Sequence, residues 1–349
     1  MVPRLLRVGA IALATIPLLA ARAPAPLLLR EFVDVAPSYP QAHASTIVQL
    51  ADGTIAAAWF GGSGEGRPDV RIWFARRGAT GWERARAVAA DARFPTWNPV
   101  LFQPRRGALR LFYKAGPNPR DWWGMVIESR DGGRHWGAPR RLPPGRLGPI
   151  KNKPIVADDG AWLAPSSREV GSAERNRWYA VIERSTDRGR TWRALDEIAS
   201  PAGLEAIQPS LLRLRDGRLM TVARTRQGVL AASWSRDQGR HWSALRALDL
   251  PNPNAGTDAV TLADGRQLLV YNDSTNRPGQ DNGPRWPLAV ALSDDGLHWR
   301  KVLTLERDPL PDGYAYPAVI QARDGIVHVT YTYDRRRIRH VALDPRRLR

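Results

Sequence analysis

Several short stretches of the chain carry side chains suited to moving protons or holding an anion. His43, in the phrase His43-Ala-Ser-Thr-Ile, opens an apolar run. An imidazole titrates near working pH, so it suits general acid or base catalysis; a hydrogen-bonded structural histidine at a strand start is the plainer reading. Glu65 and Asp69 flank Arg67 in Trp59-Phe-Gly-Gly-Ser-Gly-Glu-Gly-Arg-Pro-Asp69. Paired carboxylates supply the acid for glycosidic cleavage, and the density of Gly lets backbone approach a ligand. The alternative is a polar surface turn. Trp97-Asn98-Pro99 and Trp122-Trp123 offer flat faces for sugar rings, and Asn98 a bond to a hydroxyl, although with 14 Trp in the chain most must pack between elements. Lys151-Asn152-Lys153, Ser166-Ser167-Arg168-Glu169, Asn254, Asp258 and Asn272-Asp273 place more polar groups in rim loops. Ligands bind there, and ordinary turn chemistry accounts for each equally well.

Composition removes other chemistries. The chain has no Cys, which excludes disulfides, thiolate metal sites and Cys nucleophiles. Its six His residues show no paired ligand spacing, and neither a metal nor a cofactor is expected. The formal charge of +18 is nearly all Arg, with Lys only at 114, 151, 153 and 301. Such a charge draws in anions. There is no basic arm, recognition helix or RNA-binding signature, so nucleic acid is not the expected partner. An acidic carbohydrate or glycoconjugate is, and the protein is expected to be a monomer. A basic start at Arg4 and Arg7, an apolar run from Val8 to Ala21 and small residues after it read as an export signal or an uncleaved N-terminal anchor. Residues 1–25 are therefore set aside from the fold, leaving 26–349 as one domain, periplasmic or secreted.

The elements that position these residues come from repeats. Ser-x-Asp-x-Gly-x-x-Trp occurs at Ser129–Trp136, Ser185–Trp192 and Ser235–Trp242, with a copy one residue short at Ser293–Trp299 and a worn one from Phe74 to Trp82. The Asp accepts backbone N–H bonds, Gly takes the positive φ and Trp covers the hairpin. These boxes are structural, and no catalysis is assigned to their Asp residues. Between them, apolar runs flank Asp-Gly at 52–53, 216–217, 264–265 and 324–325, the strongest short hairpin signal. The alternation gives four-stranded units of about fifty residues, the size of a propeller blade. The expected fold is all-β, a six-bladed β-propeller of four-stranded antiparallel blades with Asp-box hairpins. Its last strand, Ile338–Leu343, is expected to close the ring against the first blade.

The boxes, their spacing and the flanking phrases resemble the sialidase (neuraminidase) superfamily, in its bacterial branch with BNR/Asp-box repeats. The resemblance implies three Arg residues clamping a substrate carboxylate, a Tyr nucleophile activated by a Glu, and an Asp acid/base. It places the second Arg at Arg224, after an Asp-Gly hairpin, and the third at Arg285, before an Asp box. The Tyr falls at Tyr316 in Tyr316-Pro-Ala-Val-Ile, with Tyr314 as a close second. The sequence also departs from the pattern. His43 stands where the first Arg belongs, and Gln208 where the activating Glu belongs, with Glu205 nearby as a substitute. Asp69 fits the acid/base only with altered spacing.

The leading expectation is an exo-glycosidase acting on an acidic, sialic-acid-like terminal sugar. Tyr316 would be the nucleophile, Asp69 or Glu65 the acid/base, and Arg224 and Arg285 the carboxylate clamp. A lyase acting on uronate-containing glycans, with His43 and Tyr316 sharing base and acid roles, is the alternative that His43 and Gln208 suit better. A propeller that binds carbohydrate without chemistry is the third.

Overall fold

The computed structural model describes residues 25–200 and 203–348; the stretch read as a signal or anchor lies outside them. Six antiparallel sheets of strands stand around a common axis as the blades of a propeller. Their innermost strands are Gln41–Gln49, Thr96–Phe102, Ile155–Val156, Ala206–Arg213, Asp258–Thr261 and Tyr314–Gln321 for blades one to six. Each is paired through a tight turn to a second strand, as Gln41–Gln49 is to Ile55–Gly62. Blade one divides its outermost strand into two short pieces, Gly81–Trp82 and Arg86–Ala89.

Strand order sorts the connections onto two faces. The Asp-Gly turns between first and second strands and the Asp boxes after third strands lie on one face. The loops between second and third strands, and the crossovers between blades, lie on the other, which is called the mouth here. It is the mouth that gathers the loop of Glu65 and Asp69, the Trp122-Trp123 turn, Arg285 and the final 334–336 turn.

The boxes work as their composition dictates. In the first, Ser129 Oγ donates to Asp131 Oδ1 at 2.8 Å, the Gly133 N–H donates to Ser129 Oγ at 2.7 Å, and the His135 N–H donates to Asp131 at 2.9 Å. The same bonds recur around Asp187, Asp237 and Asp295. Each box also leans on the preceding blade. A Cβ at Gly133 would meet Phe74 at 2.4 Å, one at Gly239 would meet Leu163 at 2.5 Å, and one at Gly296 would meet Met220 at 2.6 Å. Gly is thus required there for positive φ and for close approach.

Ring closure differs from the expectation. Ile338–Leu343 belongs to the third strand of blade six, and the outermost strand comes from the start of the domain: Leu27–Phe32 pairs antiparallel with Arg337–Leu343. Glu31 on that closing strand accepts from Arg77 and from Trp82, the surviving Trp of the worn box. Joining chain ends in one blade covers the edge that would otherwise pair with another molecule.

Candidate active site

The innermost strands share a defect at one height. Register slips between His43 and Thr46, Trp97 and Val100, Ile207 and Ser210, and Ala315 and Ala318. At these bulges Ala44, Asn98, Gln208 and Tyr316 have φ of 53°, 35°, 56° and 50°. Such a conformation costs a non-glycine residue on the order of 1–3 kcal/mol and persists where the surroundings enforce it, commonly at functional sites. Pro99, Pro209 and Pro317 follow three of the four. The bulges bring Gln208 and Tyr316 together at the axis from different blades.

Tyr316 is the centre of the cluster and is buried. Gln208 Nε2 donates to its hydroxyl at 3.3 Å. The His43 ring packs on its ring with centroids 4.4 Å apart. Lys151 Nζ, Arg224 Cζ and Arg285 Cζ stand 5.5, 5.6 and 5.9 Å from its centroid. Such an array favours negative charge on a bound group. Three buried atoms in it have no partner among the described residues: Gln208 Oε1, Arg224 Nε and Arg285 Nη1. Buried polar atoms are normally satisfied by protein or by water, and these three are free to bond a bound polar group.

Elements of four blades hold the cluster. Arg224 is the next-to-last residue of the second strand of blade four, Leu219–Thr225, opposite Ile207, and donates to the Asn254 carbonyl at 2.9 Å. Arg285 sits in the mouth loop of blade five, anchored where the Tyr314 N–H donates to its carbonyl at 2.9 Å. Burial pushes the Arg285 guanidinium down, as do the charges of Arg224 and Arg335, while Tyr316 acts the other way. Lys151 forms the floor, donating to Asn152 Oδ1, the Thr257 carbonyl and the Pro317 carbonyl at 2.7–2.9 Å. Burial brings its pKa down to about 7. Below it, Lys153 and Asp258 pair at 2.8 Å, with Ser210 and Val319 also donating to Asp258.

His43 is buried, and desolvation first, then the charges of Arg335, Arg285, Lys151 and Arg224, hold its pKa well below the ordinary value. It is a neutral imidazole at neutral pH. Nδ1 lies 3.0 Å from Thr332 Oγ1, which also accepts from the Ala44 N–H. With the proton on Nδ1, both Thr332 lone pairs are filled and Nε2 keeps a free lone pair.

The remaining sequence candidates fall in different places. Glu205 forms an ion pair with Arg226 at 3.1 Å, and it is Gln208 that reaches Tyr316. Tyr314 turns into the core of blade six, donating to the Asp308 carbonyl, and burial pushes its phenol up to about 12. Asp69 is exposed, and both its oxygens accept from Ser63, which lowers its pKa. A carboxylate so held is poorly suited to giving a proton. Arg67 is exposed on the same loop, and Asn98 is buried at its bulge. Glu65 pairs with Arg335.

Arg335 is the residue that sequence reasoning missed. It sits at φ 51° in the turn of blade six and acts electrostatically on His43, Tyr316 and Arg285. A third guanidinium thus reaches the cluster from the end of the chain. The only available signal was its place in a second-to-third-strand turn, which must face the mouth. Trp178 was also missed: Arg224 lies 5.3 Å and Arg226 4.0 Å from its ring.

Comparison with known proteins agrees with this architecture. Residues 53–329 match the BNR repeat-like domain. The chain belongs to that family. This BNR-repeat protein is also similar in fold to several solved structures. A Dyadobacter fermentans protein of unknown function superimposes with a TM-score of 0.74 at 16% identity, over 91% of this chain and 98% of that one. A mutant of the NanB sialidase of Streptococcus pneumoniae gives 0.72 at 13% identity, over 93% and 71%. The intramolecular trans-sialidase of Ruminococcus gnavus gives 0.67 at 14%, over 91% and 97%. At such identities the likeness is one of fold, and the fold is the sialidase-like propeller. No curated protein matches the sequence.

Proposed function

We propose that this protein captures the carboxylate of an acidic sugar on Arg224, Arg285 and Arg335 and breaks that sugar's glycosidic bond at Tyr316. The observation that carries the reading is the pair of buried, unpartnered guanidinium nitrogens, Arg224 Nε and Arg285 Nη1, beside a conformationally strained Tyr316. Planar guanidinium forks pair bidentately with carboxylates. Sialidases among the fold relatives make hydrolysis of a terminal, sialic-acid-like residue the leading form. Tyr316 Oη attacks the anomeric carbon, and its proton passes to neutral His43. The bond to the leaving oxygen breaks with its electron pair on that oxygen, and a carboxyl group at the mouth protonates it. Glu169 is better suited than Asp69 to that last step, because burial raises its pKa against the opposing charges of Arg224, Arg226 and Arg120. Water then releases the glycosyl group from Tyr316 with retained configuration.

A second reading rests on Gln208, which gives Tyr316 an amide where a carboxylate would be needed to activate it. In elimination from a uronate, the arginines neutralise the carboxylate and acidify the neighbouring C–H. His43 takes that proton, and Tyr316 gives its own to the departing oxygen. The product is an unsaturated uronate.

Incubation of the purified protein with sialosides and with uronate polysaccharides separates the two. Free acidic sugar, abolished by Tyr316→Phe, supports hydrolysis. A new ultraviolet absorbance, abolished by His43→Ala, supports elimination. Silence on a broad panel of both overturns bond cleavage.

A further inference from the structure

A cavity lies on the mouth between blades two and three. It has a volume of about 290 Å³ and is lined by Arg120, Trp122, Trp123, Arg141, Arg168 and Glu169, among others. That volume suits one sugar residue. One strand links this cavity to the Tyr316 cluster: Ser167 Oγ accepts from the Gln208 N–H at 3.4 Å, and the next two residues, Arg168 and Glu169, line the cavity. Glu169 lines this cavity and lies within electrostatic range of Arg224. From the other side, aromatic rings run in contact from His43 to Phe60, Trp97 and Trp122, at centroid spacings of 5.5, 6.4 and 6.1 Å.

The lining has a definite chemistry. Arg168 is committed: it donates to the Gly145 carbonyl at 2.6 Å and lies 3.3 Å from buried Glu183. Arg120 and Arg141 are not. Among the described residues neither guanidinium has a hydrogen-bond or ion-pair partner; Arg120 acts only at a distance, on Glu169 and Glu174, and Arg141 is stacked on Trp123 at 4.5 Å. Stacking leaves the edge N–H donors of Arg141 free for an anion. Two guanidinium groups without a protein anion, one of them stacked on Trp123, beside the Trp122 indole make a place for a sugar ring that is itself charged.

We infer that this cavity is the subsite for the neighbouring sugar, and that this neighbour is anionic. The substrate is then a polyanionic glycan with acidic residues in succession, rather than a neutral glycan capped by one acid. Glu169 stands at the junction of the two subsites, where the linkage between the sugars would lie. The inference rests on the reading of the Tyr316 cluster as a carboxylate site.

Binding to paired probes tests it, each pair sharing a terminal acid and differing in the charge of its neighbour. Disialic acid is set against 3′-sialyllactose, and digalacturonic acid against galacturonosyl-rhamnose. Titration calorimetry uses the wild type, Arg120→Ala/Arg141→Ala and Arg224→Gln. The dianionic member of one pair is expected to bind at least tenfold tighter than its partner, and the double variant to remove that preference while leaving the monoanionic probe unchanged. Arg224→Gln should weaken both members. Equal binding within every pair, a preference that survives in the double variant, or no binding of any probe overturns the anionic subsite. The primary site is judged separately: if Arg224→Gln leaves the affinity for both members of a pair unchanged while the double variant removes the preference, the carboxylate reading fails and the cavity stands as a site in its own right.

Discussion

The two faces of the ring hold the same residue types and do different things with them. On the box face, His135, His241 and His298 lie 2.5–2.7 Å from the carboxylates of Asp131, Asp237 and Asp295. With His340 and Glu31, 2.9 Å apart, these are the His–carboxylate pairs among the described residues. The three box His side chains are exposed, however, and their carboxylates are already engaged in closing hairpins. On the mouth face, His43 has no carboxylate partner, is buried, and is surrounded by cations. Water screens the first set and leaves it with little energy to contribute. Burial magnifies every charge around the second. Proximity of a His to an Asp is thus a poor guide to chemistry here, and burial among several cations is a better one.

The widest separation between the faces is expected at Tyr316. Tyr316→Phe should reduce turnover of an acidic sugar by about a thousandfold or more while leaving the arginine cluster able to bind it. Parallel measurement of kcat and of ligand affinity checks this, and a loss of affinity with unchanged kcat would make Tyr316 a binding residue only. The box face should give the converse result. At Gly239 a Cβ meets Leu163 Cδ1 at 2.5 Å and φ is 77°. Gly239→Ala should therefore cost about 2–3 kcal/mol in denaturant unfolding with kcat/KM unchanged.

How much of this was legible in the sequence follows the same division. The box face was written out in full, because Ser, Asp, Gly and Trp at fixed offsets determine a hairpin by local bonds. The mouth was legible only where a repeat or a family phrase fixed a residue's height on its strand, as for Tyr316, Arg224, Arg285 and Gln208. Arg335 lies in a run of three Arg, and nothing local says which of them bends inward to meet Glu65, 270 residues away in sequence. Glu205 could not be judged either, since its partner Arg226 is fixed by packing. Closure by Leu27–Phe32 was missed for the same reason: pairing between the two ends of a chain has no local signature.

A smaller effect sharpens the comparison through pH. Burial and the surrounding cations hold the folded pKa of His43 well below the ordinary imidazole value of about 6.5. As pH falls through that unfolded value, the unfolded chain takes up a proton that the native state refuses, so stability is lost below about pH 6.5 and is constant above it. Between pH 6.5 and 5 the wild type should lose up to about 1.4 kcal/mol per pH unit more than His43→Gln. Unfolding curves at stepped pH check this, and parallel curves for the two proteins would mean that His43 is not held neutral. The smallest change belongs to the box face: His241→Ala should move stability by no more than about 0.5 kcal/mol. A larger loss there would break the distinction between the faces.

The central claim is that the axial cluster recognises a carboxylate. Its most direct test is binding of one acidic sugar in two forms, the free acid and its methyl ester, which share shape and differ in charge at the group that Arg224, Arg285 and Arg335 would hold. The account predicts measurable affinity for the acid and a loss of at least about a hundredfold for the ester. Equal affinity for the two would show that the arginines do not hold a carboxylate, and would contradict the function proposed here.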